Sequence, residues 1–366
     1  MIYLVDLEAV DTRYTKQWKD HVPALLEREL HEQVTVISGG ETPQATTPGA
    51  FLNFGGTNVY KSNQLEQIGE LFCSGLVKDG DYFLYTDAWN PTVIQLKYMA
   101  ELLGVKIKIG GLWHAGSYDP QDFLGRLIGD ASWVRHAEKS FFYAYDHNYF
   151  ATEFHVKLFF DQLLHDGIPS ENPWYDEMWE ERYQNGKIVR TGWPMEYMAN
   201  TLEPYKGIEK ENVILFPHRI APEKQPEIFK DLAEALPQYK FVMCQEQQLS
   251  KDEYHTLLGK SKMVFSANLQ ETLGISWYEG ALVDAIPMVP DRLSYSEMAL
   301  KEFKYPSHWT ESFDSYTAHK QQVCDAIVNY MENYETFIPA INNQVAKLKD
   351  DFFGCRNLIS TIKKVI

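Results

Sequence analysis

The sequence predicts an α/β protein made of two successive units, each a parallel sheet covered by helices. Short, wholly apolar runs of four or five residues alternate with longer amphipathic stretches. The alternation breaks off in a segment rich in Pro, Asn, Trp and acids, residues 166–187, and starts afresh after the polar stretch Tyr205 to Asn212. At 366 residues and 45% hydrophobic content, the chain is also long enough for two cores.

In the first half, Ile2 to Val5 reads as a buried strand. Trp18 to Leu30 is a helix, with Trp18, Val22, Leu25 and Leu26 on one stripe. Val34 to Ile37 and Tyr82 to Tyr85 are strands, and Val93 to Leu103 is the helix after the latter. Val105 to Ile109 is a strand followed by Gly110-Gly111. Ile188 to Trp193 resumes as a strand closed by Pro194. Tyr205 to Asn212 is the expected linker. In the second half, Val213 to Phe216, Lys240 to Cys244, Met263 to Ser266 and Pro287 to Pro290 are strands. Gln225 to Leu236, Ser250 to Leu258 (capped by Ser250) and Leu273 to Val283 are helices. The tail from Tyr316 to Ile366 has helical period throughout. Two such units imply a ligand-binding cleft between them.

Composition narrows the function classes. The four cysteines, Cys73, Cys244, Cys324 and Cys355, are far apart and form no CxxC, so they read as reduced thiols. The N-terminus is too short and acidic for a signal peptide, and no apolar run reaches the length of a membrane span. A cytoplasmic protein is expected. The net charge of -17 disfavours long-range attraction to nucleic acid or anionic lipid.

The chemistry concentrates in the second half. Glu271-Thr-Leu-Gly-Ile-Ser-Trp-Tyr-Glu279 follows a strand. Glu271 is expected in the loop at the carboxyl end of the sheet, and Gly274 lets the backbone approach a ligand. A helix starting near Ile275 would turn free N–H groups toward a phosphate. Glu279 lies one turn in, and both carboxylates suit sugar hydroxyls. With Gly280-Ala281-Leu282 and Ala285-Ile286-Pro287-Met288-Val289 behind it, this E-x7-E resembles the retaining glycosyltransferases of family 4. The resemblance implies the GT-B fold: a Rossmann-like acceptor domain (1–205), a Rossmann-like nucleotide-sugar domain (206–345), and a C-terminal helix (346–366) packing back on the first. It assigns Glu271 to the transferred sugar and Glu279 to the ribose. Phe216-Pro-His-Arg219-Ile-Ala-Pro-Glu-Lys224 looks like the family's phosphate-binding segment, so Arg219 and Lys224 would neutralise the donor diphosphate. The blander reading of both is a solvated helix start. The co-substrate implied is a nucleotide-diphosphate sugar, a UDP-sugar favoured, with no tightly bound cofactor and no metal.

In the first half, His114 follows a strand, where the resemblance places a His beside the reacting centre; it could instead satisfy a backbone carbonyl next to a buried Trp. Asp87 either contacts the acceptor or caps the next helix. Tyr118 lies in a polar, aromatic loop that could form an acceptor lip. Thr152 is expected to cap a helix, and Gly192-Trp193-Pro194 resembles the family's segment before the linker. The run Asp6 to Thr15 stands where many GT-B enzymes carry a glycine-rich loop. It has no glycine, and Arg13 and Thr15 could substitute as phosphate or acceptor contacts. Asn53 to Asn58 is glycine-rich but reads as a turn, as does Asp79-Gly80-Asp81. No HExxH, P-loop, zinc cluster or nucleophile elbow is present.

The hydroxyl acceptor is left open. The segments around Arg13 and from Gly111 to Asp130 resemble glycosyltransferases of large tailed phages, some of which act on hydroxymethylated DNA bases. A groove of Arg126, Arg135, Lys139 and Lys157 would serve that acceptor. A nucleotide-sugar epimerase and a non-catalytic binding subunit are the alternatives.

Overall fold

A computed structural model of the chain describes residues 1–10, 13–43, 45, 47, 52–164, 172, 176–177, 180–181 and 185–366. It divides into two compact units, Met1–Gly192 with Cys355–Ile366, and Trp193–Gly354. The chain thus changes unit after Gly192 and after Gly354 rather than at 205 and 345. The segment 166–187 lies mostly outside the described residues.

The first unit runs β1 (Ile2–Val5), α1 (Tyr14–Leu30), β2 (Val34–Ile37), α2 (Phe54–Cys73), β3 (Tyr82–Tyr85), α3 (Thr92–Leu103), β4 (Lys108–Trp113), α4 (Phe123–Ile128), α5 (Ser132–Ala144), β5 (His147–Phe150), α6 (Glu153–Phe159) and β6 (Ile188–Arg190). Its six strands lie in the order β2-β1-β3-β4-β5-β6, every pair parallel. All four side chains of β1 and of β3 are buried, as strands covered by helices on both faces require.

Three local expectations fail here for steric or capping reasons. The strand expected to end at Ile109 runs on to Trp113, so Gly110 and Gly111 lie inside β4. A Cβ on Gly110 would sit 2.3 Å from the Tyr82 hydroxyl, and one on Gly111 2.6 Å from the Tyr145 ring. The glycines admit large buried tyrosines, and Tyr82 and Tyr149 share a 2.7 Å hydrogen bond there. Asn53 to Asn58 is not a turn but the start of α2. The Asn53 side chain accepts from the Gly56 N–H at 2.8 Å, and a Cβ on Gly56 would meet Pro43 at 2.7 Å. Finally, β6 stops at Arg190 instead of reaching Trp193. The chain turns at Gly192, whose φ of +69° suits glycine.

The second unit runs α7 (Tyr197–Leu202), β7 (Glu211–Phe216), α8 (Pro226–Ala235), β8 (Lys240–Met243), α9 (Lys251–Lys260), β9 (Ser261–Phe265), α10 (Ile275–Leu282), β10 (Ile286–Pro290), α11 (Tyr295–Met298), β11 (Lys304–Tyr305), α12 (Phe313–Glu332) and α13 (Tyr334–Asp351). Its parallel sheet has the order β11-β10-β9-β7-β8. Glu211 and Asn212, expected in a linker, open β7. Ser250 and Glu253 form a reciprocal capping box at α9. A last helix, α14 (Arg356–Lys363), belongs to the first unit, where Asn357 donates to the Arg190 carbonyl at 3.1 Å. No helix among the described residues is long and apolar enough to cross a membrane.

Candidate functional site

In the second unit, two loops leave the carboxyl ends of the adjacent strands β7 and β9. The first carries Arg219 and passes through a short turn, Pro222–Lys224, into α8. The second carries Glu271 and ends at Gly274, which opens α10 with φ +84°. The structure ties them together. The Leu269 N–H donates to the Glu223 carbonyl at 2.8 Å. Lys224, 6% exposed, donates to the Gln270 carbonyl, and its Nζ lies 3.4 Å from both Gln270 Oε1 and Glu271 Oε2. Arg219 sits in the same loop, its guanidinium paired with the buried carboxylate of Glu223 through Nε at 3.0 Å. That pairing fixes the guanidinium in place and offsets part of its charge.

Gly274 and Ile275 stand where the sequence places them. No side chain among the described residues caps the start of α10. Its first N–H groups are therefore donors in search of an acceptor, the ordinary basis of anion binding at a helix N-terminus. A Cβ on Gly274 would also press to 2.6 Å from Trp277 Nε1. Glu279, half-buried on α10, accepts a 2.9 Å hydrogen bond from the Tyr254 hydroxyl. Burial pushes its carboxyl up to about 7.

Sequence reasoning missed the residues that shape these loops. Arg292, after β10, donates to the carbonyls of Ala267 and Asn268 at 2.7 Å, of Ser307 at 2.9 Å and of Thr310 at 3.0 Å. Gln225 stands at φ +51°, and its amide donates to the carbonyls of Ala267 at 2.6 Å and Thr310 at 2.7 Å. Those two bonds hold a non-glycine residue in the left-handed region. Tyr254 orients Glu279. The only signals in the sequence are an isolated Arg after a strand and a Gln between a Lys and a Pro, and neither points to a partner.

The first-unit candidates are corrected more heavily. His114 lies half-buried past the end of β4, with Nε2 2.6 Å from the Thr86 carbonyl and Nδ1 2.6 Å from the Tyr14 hydroxyl. A carbonyl only accepts, so Nε2 carries the proton and Nδ1 accepts from Tyr14. Burial lowers its pKa, so the ring is neutral and both nitrogens tie α1, β3 and β4 together. Tyr118 is fully buried, its hydroxyl 2.6 Å from His155 Nε2, so it belongs to the core and not to an acceptor lip. Asp87 caps no helix. It accepts from the Trp89 N–H at 3.0 Å, and Asn90 is the side chain that accepts from the N–H of Thr92 in α3.

Arg13 is the residue before α1, its guanidinium 5.6 Å from the centre of the Tyr14 ring. Thr15 is buried and accepts from the Val10 N–H at 3.1 Å; Asp11 and Thr12 lie outside the described residues. In place of a glycine loop, this end of β1 carries two buried carboxylates. Asp6 accepts from Tyr60 and from Gln64 at 3.1 Å, and Glu8 accepts from Thr57. Two carboxylates oppose a phosphate there. Thr152 does cap α6, accepting from the His155 N–H at 3.2 Å. Arg135 donates to the Gly129 carbonyl at 2.9 Å, and Lys157 pairs with Asp161 at 2.8 Å. Arg135 on α5 thus ties back to the end of α4, and Lys157 on α6 pairs with the helical turn that continues it.

No family model and no curated relative matches the chain. Solved structures do. The catalytic domain of starch synthase IV from Arabidopsis thaliana, bound to ADP and acarbose, is similar with a TM-score of 0.57 and 9% identity, over 100% of this chain and 98% of that one. A glycosyltransferase from Rickettsia africae is similar at TM-score 0.57 and 12% identity, over 100% and 98%. Anabaena HepE in complex with UDP is similar at 0.55 and 11%, over 99% and 97%. At these identities the likeness is one of fold, and this chain shares the GT-B fold with its two parallel-sheet, Rossmann-like domains.

Proposed function

We propose that the chain is a glycosyltransferase that moves a sugar from a nucleotide-diphosphate sugar, a UDP-sugar favoured, to a hydroxyl acceptor. The observation that carries this is the contact between Lys224 and Glu271 beside the uncapped start of α10. A buried cation, free helix N–H groups and a carboxylate within one pair of loops suit a ligand that is anionic at one end and rich in hydroxyls at the other. The structures of similar fold that hold UDP or ADP support the same reading.

Lys224, Arg219 and the first N–H groups of α10 bind the diphosphate and stabilise the charge that builds on it as the bond to the sugar breaks. Glu271 accepts hydrogen bonds from the sugar, and Glu279, oriented by Tyr254, from the ribose. The acceptor oxygen forms the new bond to the anomeric carbon, and its proton passes to the leaving diphosphate. No protein base is then needed, in keeping with His114 holding both its nitrogens in internal hydrogen bonds. Retention follows from the resemblance to family 4. Acceptor recognition is assigned to the first unit, around Arg13 and Asp87.

Nucleotide release from UDP-glucose, UDP-N-acetylglucosamine and ADP-glucose tests this, measured with and without sugar, protein and hydroxymethylated-DNA acceptors. Release by the wild type that disappears in Glu271→Ala and Lys224→Ala is the expected result. Undiminished release in both variants would sink the assignment. Conversion of the donor to an epimer without any acceptor would favour the epimerase reading instead.

A further inference from the structure

The two loops that hold Lys224 and Glu271 also bury two hydrogen-bond acceptors with no partner among the described residues, Nε2 of His218 and Oδ1 of Asn268. His218 is 7% exposed and Asn268 0%. The His218 ring bonds to the backbone of Phe265, where the carbonyl is the acceptor, so the proton sits on Nδ1 and Nε2 presents a lone pair. Burial and the neighbouring Lys224 charge push this imidazole down to about 3, so Nε2 stays unprotonated near neutrality.

Lys224 does not satisfy it. Its ammonium contacts the Gln270 carbonyl, Gln270 Oε1 and Glu271 Oε2, not the imidazole. The Asn268 amide is oriented by its other end. Its Nδ2 donates to the Tyr295 hydroxyl at 2.9 Å and faces Glu271 Oε2 at 3.5 Å. Turning the amide over would bring Oδ1 against that carboxylate, so Oδ1 is the atom left over.

Buried acceptors are rarely left without a donor. Here two lie in loops from paired, parallel strands, one in each loop. A diphosphate at pH 7 has almost no proton to give them, whereas a sugar hydroxyl does. We infer that His218 and Asn268 form a hydroxyl-reading subsite that accepts hydrogen bonds from the sugar of the bound nucleotide sugar. This rests on the function proposed above. It makes a separate claim: the two residues distinguish a nucleotide sugar from the bare nucleoside diphosphate, which Lys224 and α10 do not.

The test is calorimetric titration with UDP-glucose, UDP-N-acetylglucosamine, ADP-glucose and GDP-mannose, each against its own nucleoside diphosphate. The wild type is expected to prefer at least one sugar-bearing form. His218→Phe and Asn268→Ala should each shrink that preference about tenfold, with diphosphate affinity changed about twofold or less. His218→Gln, which restores an acceptor, should recover part of it. It also serves as the folded comparison if His218→Phe does not fold by circular dichroism. An unchanged preference in the folded variants overturns the inference and means that an internal water satisfies these atoms. If no nucleotide or nucleotide sugar binds the wild type, the proposed function itself fails.

Discussion

Replacing Lys224 with Met removes one charge and keeps most of the volume. Lys224 is 6% exposed, and its Nζ lies 3.4 Å from Glu271 Oε2. At an effective dielectric near 20, two unit charges about 4 Å apart interact by about 4 kcal/mol. The adjacent Glu271 cancels part of that field, so about 2 kcal/mol remains for a bound diphosphate. Without the ammonium, Glu271 is left uncompensated and repels the same diphosphate, adding about 1 kcal/mol. The sum, about 3 kcal/mol, is roughly a hundredfold loss of UDP affinity. Isothermal titration calorimetry with UDP measures it directly. Glu271→Gln is the control with the opposite sign: it frees the lysine, so UDP binding should hold or tighten while UDP-sugar binding weakens. A folded Lys224→Met that binds UDP within about threefold of the wild type would refute the reasoning. So would a Glu271→Gln that weakens UDP just as much.

Glu279 makes the second unit pH-sensitive. Its folded pKa of about 7 lies above the ordinary 4.5, so its contribution to stability is complete below that lower value and is lost as pH rises through 7. Urea unfolding should show a fall on the order of 2 kcal/mol across that window, allowing for partial exposure, and Glu279→Gln should flatten it. UDP binding should strengthen over the same range, because the ionised carboxylate is the better acceptor for a ribose hydroxyl. Arg292→Met strips donors from the carbonyls of Ala267, Asn268, Ser307 and Thr310 and should destabilise by about 3 kcal/mol in urea unfolding. A loss below about 1 kcal/mol would mean the loop holds without it. Gly111→Ala forces a Cβ to 2.6 Å from Tyr145 and should lower stability by about 2 kcal/mol, read as a drop in Tm.

Much of the second unit was legible because its signals are local. A strand, a loop with Glu271, a glycine at positive φ and a helix with Glu279 follow one another within 20 residues or so of chain. The glycines were the least legible residues. Gly55-Gly56 has the composition of a turn yet opens a helix with Gly56 under Pro43, and Gly110-Gly111, expected after a strand, lies within it under tyrosines. Gly56 and the strand pair are explained by a neighbour's bulk, which no local pattern encodes.

The sequence by itself determined most of the strands of both sheets, that the sheets are parallel, and that Lys224, Glu271 and the start of α10 follow β7 and β9 in the chain. Apolar period, caps and glycine conformation act over a few residues, so the chain states them directly. Only the tertiary structure decided what each polar atom does. His114 is held by residues 28 and 100 positions away, and Gln225 by one 85 positions away. Strand order brings these partners within hydrogen-bond distance, and that distance alone separates a satisfied His114 from an unsatisfied His218.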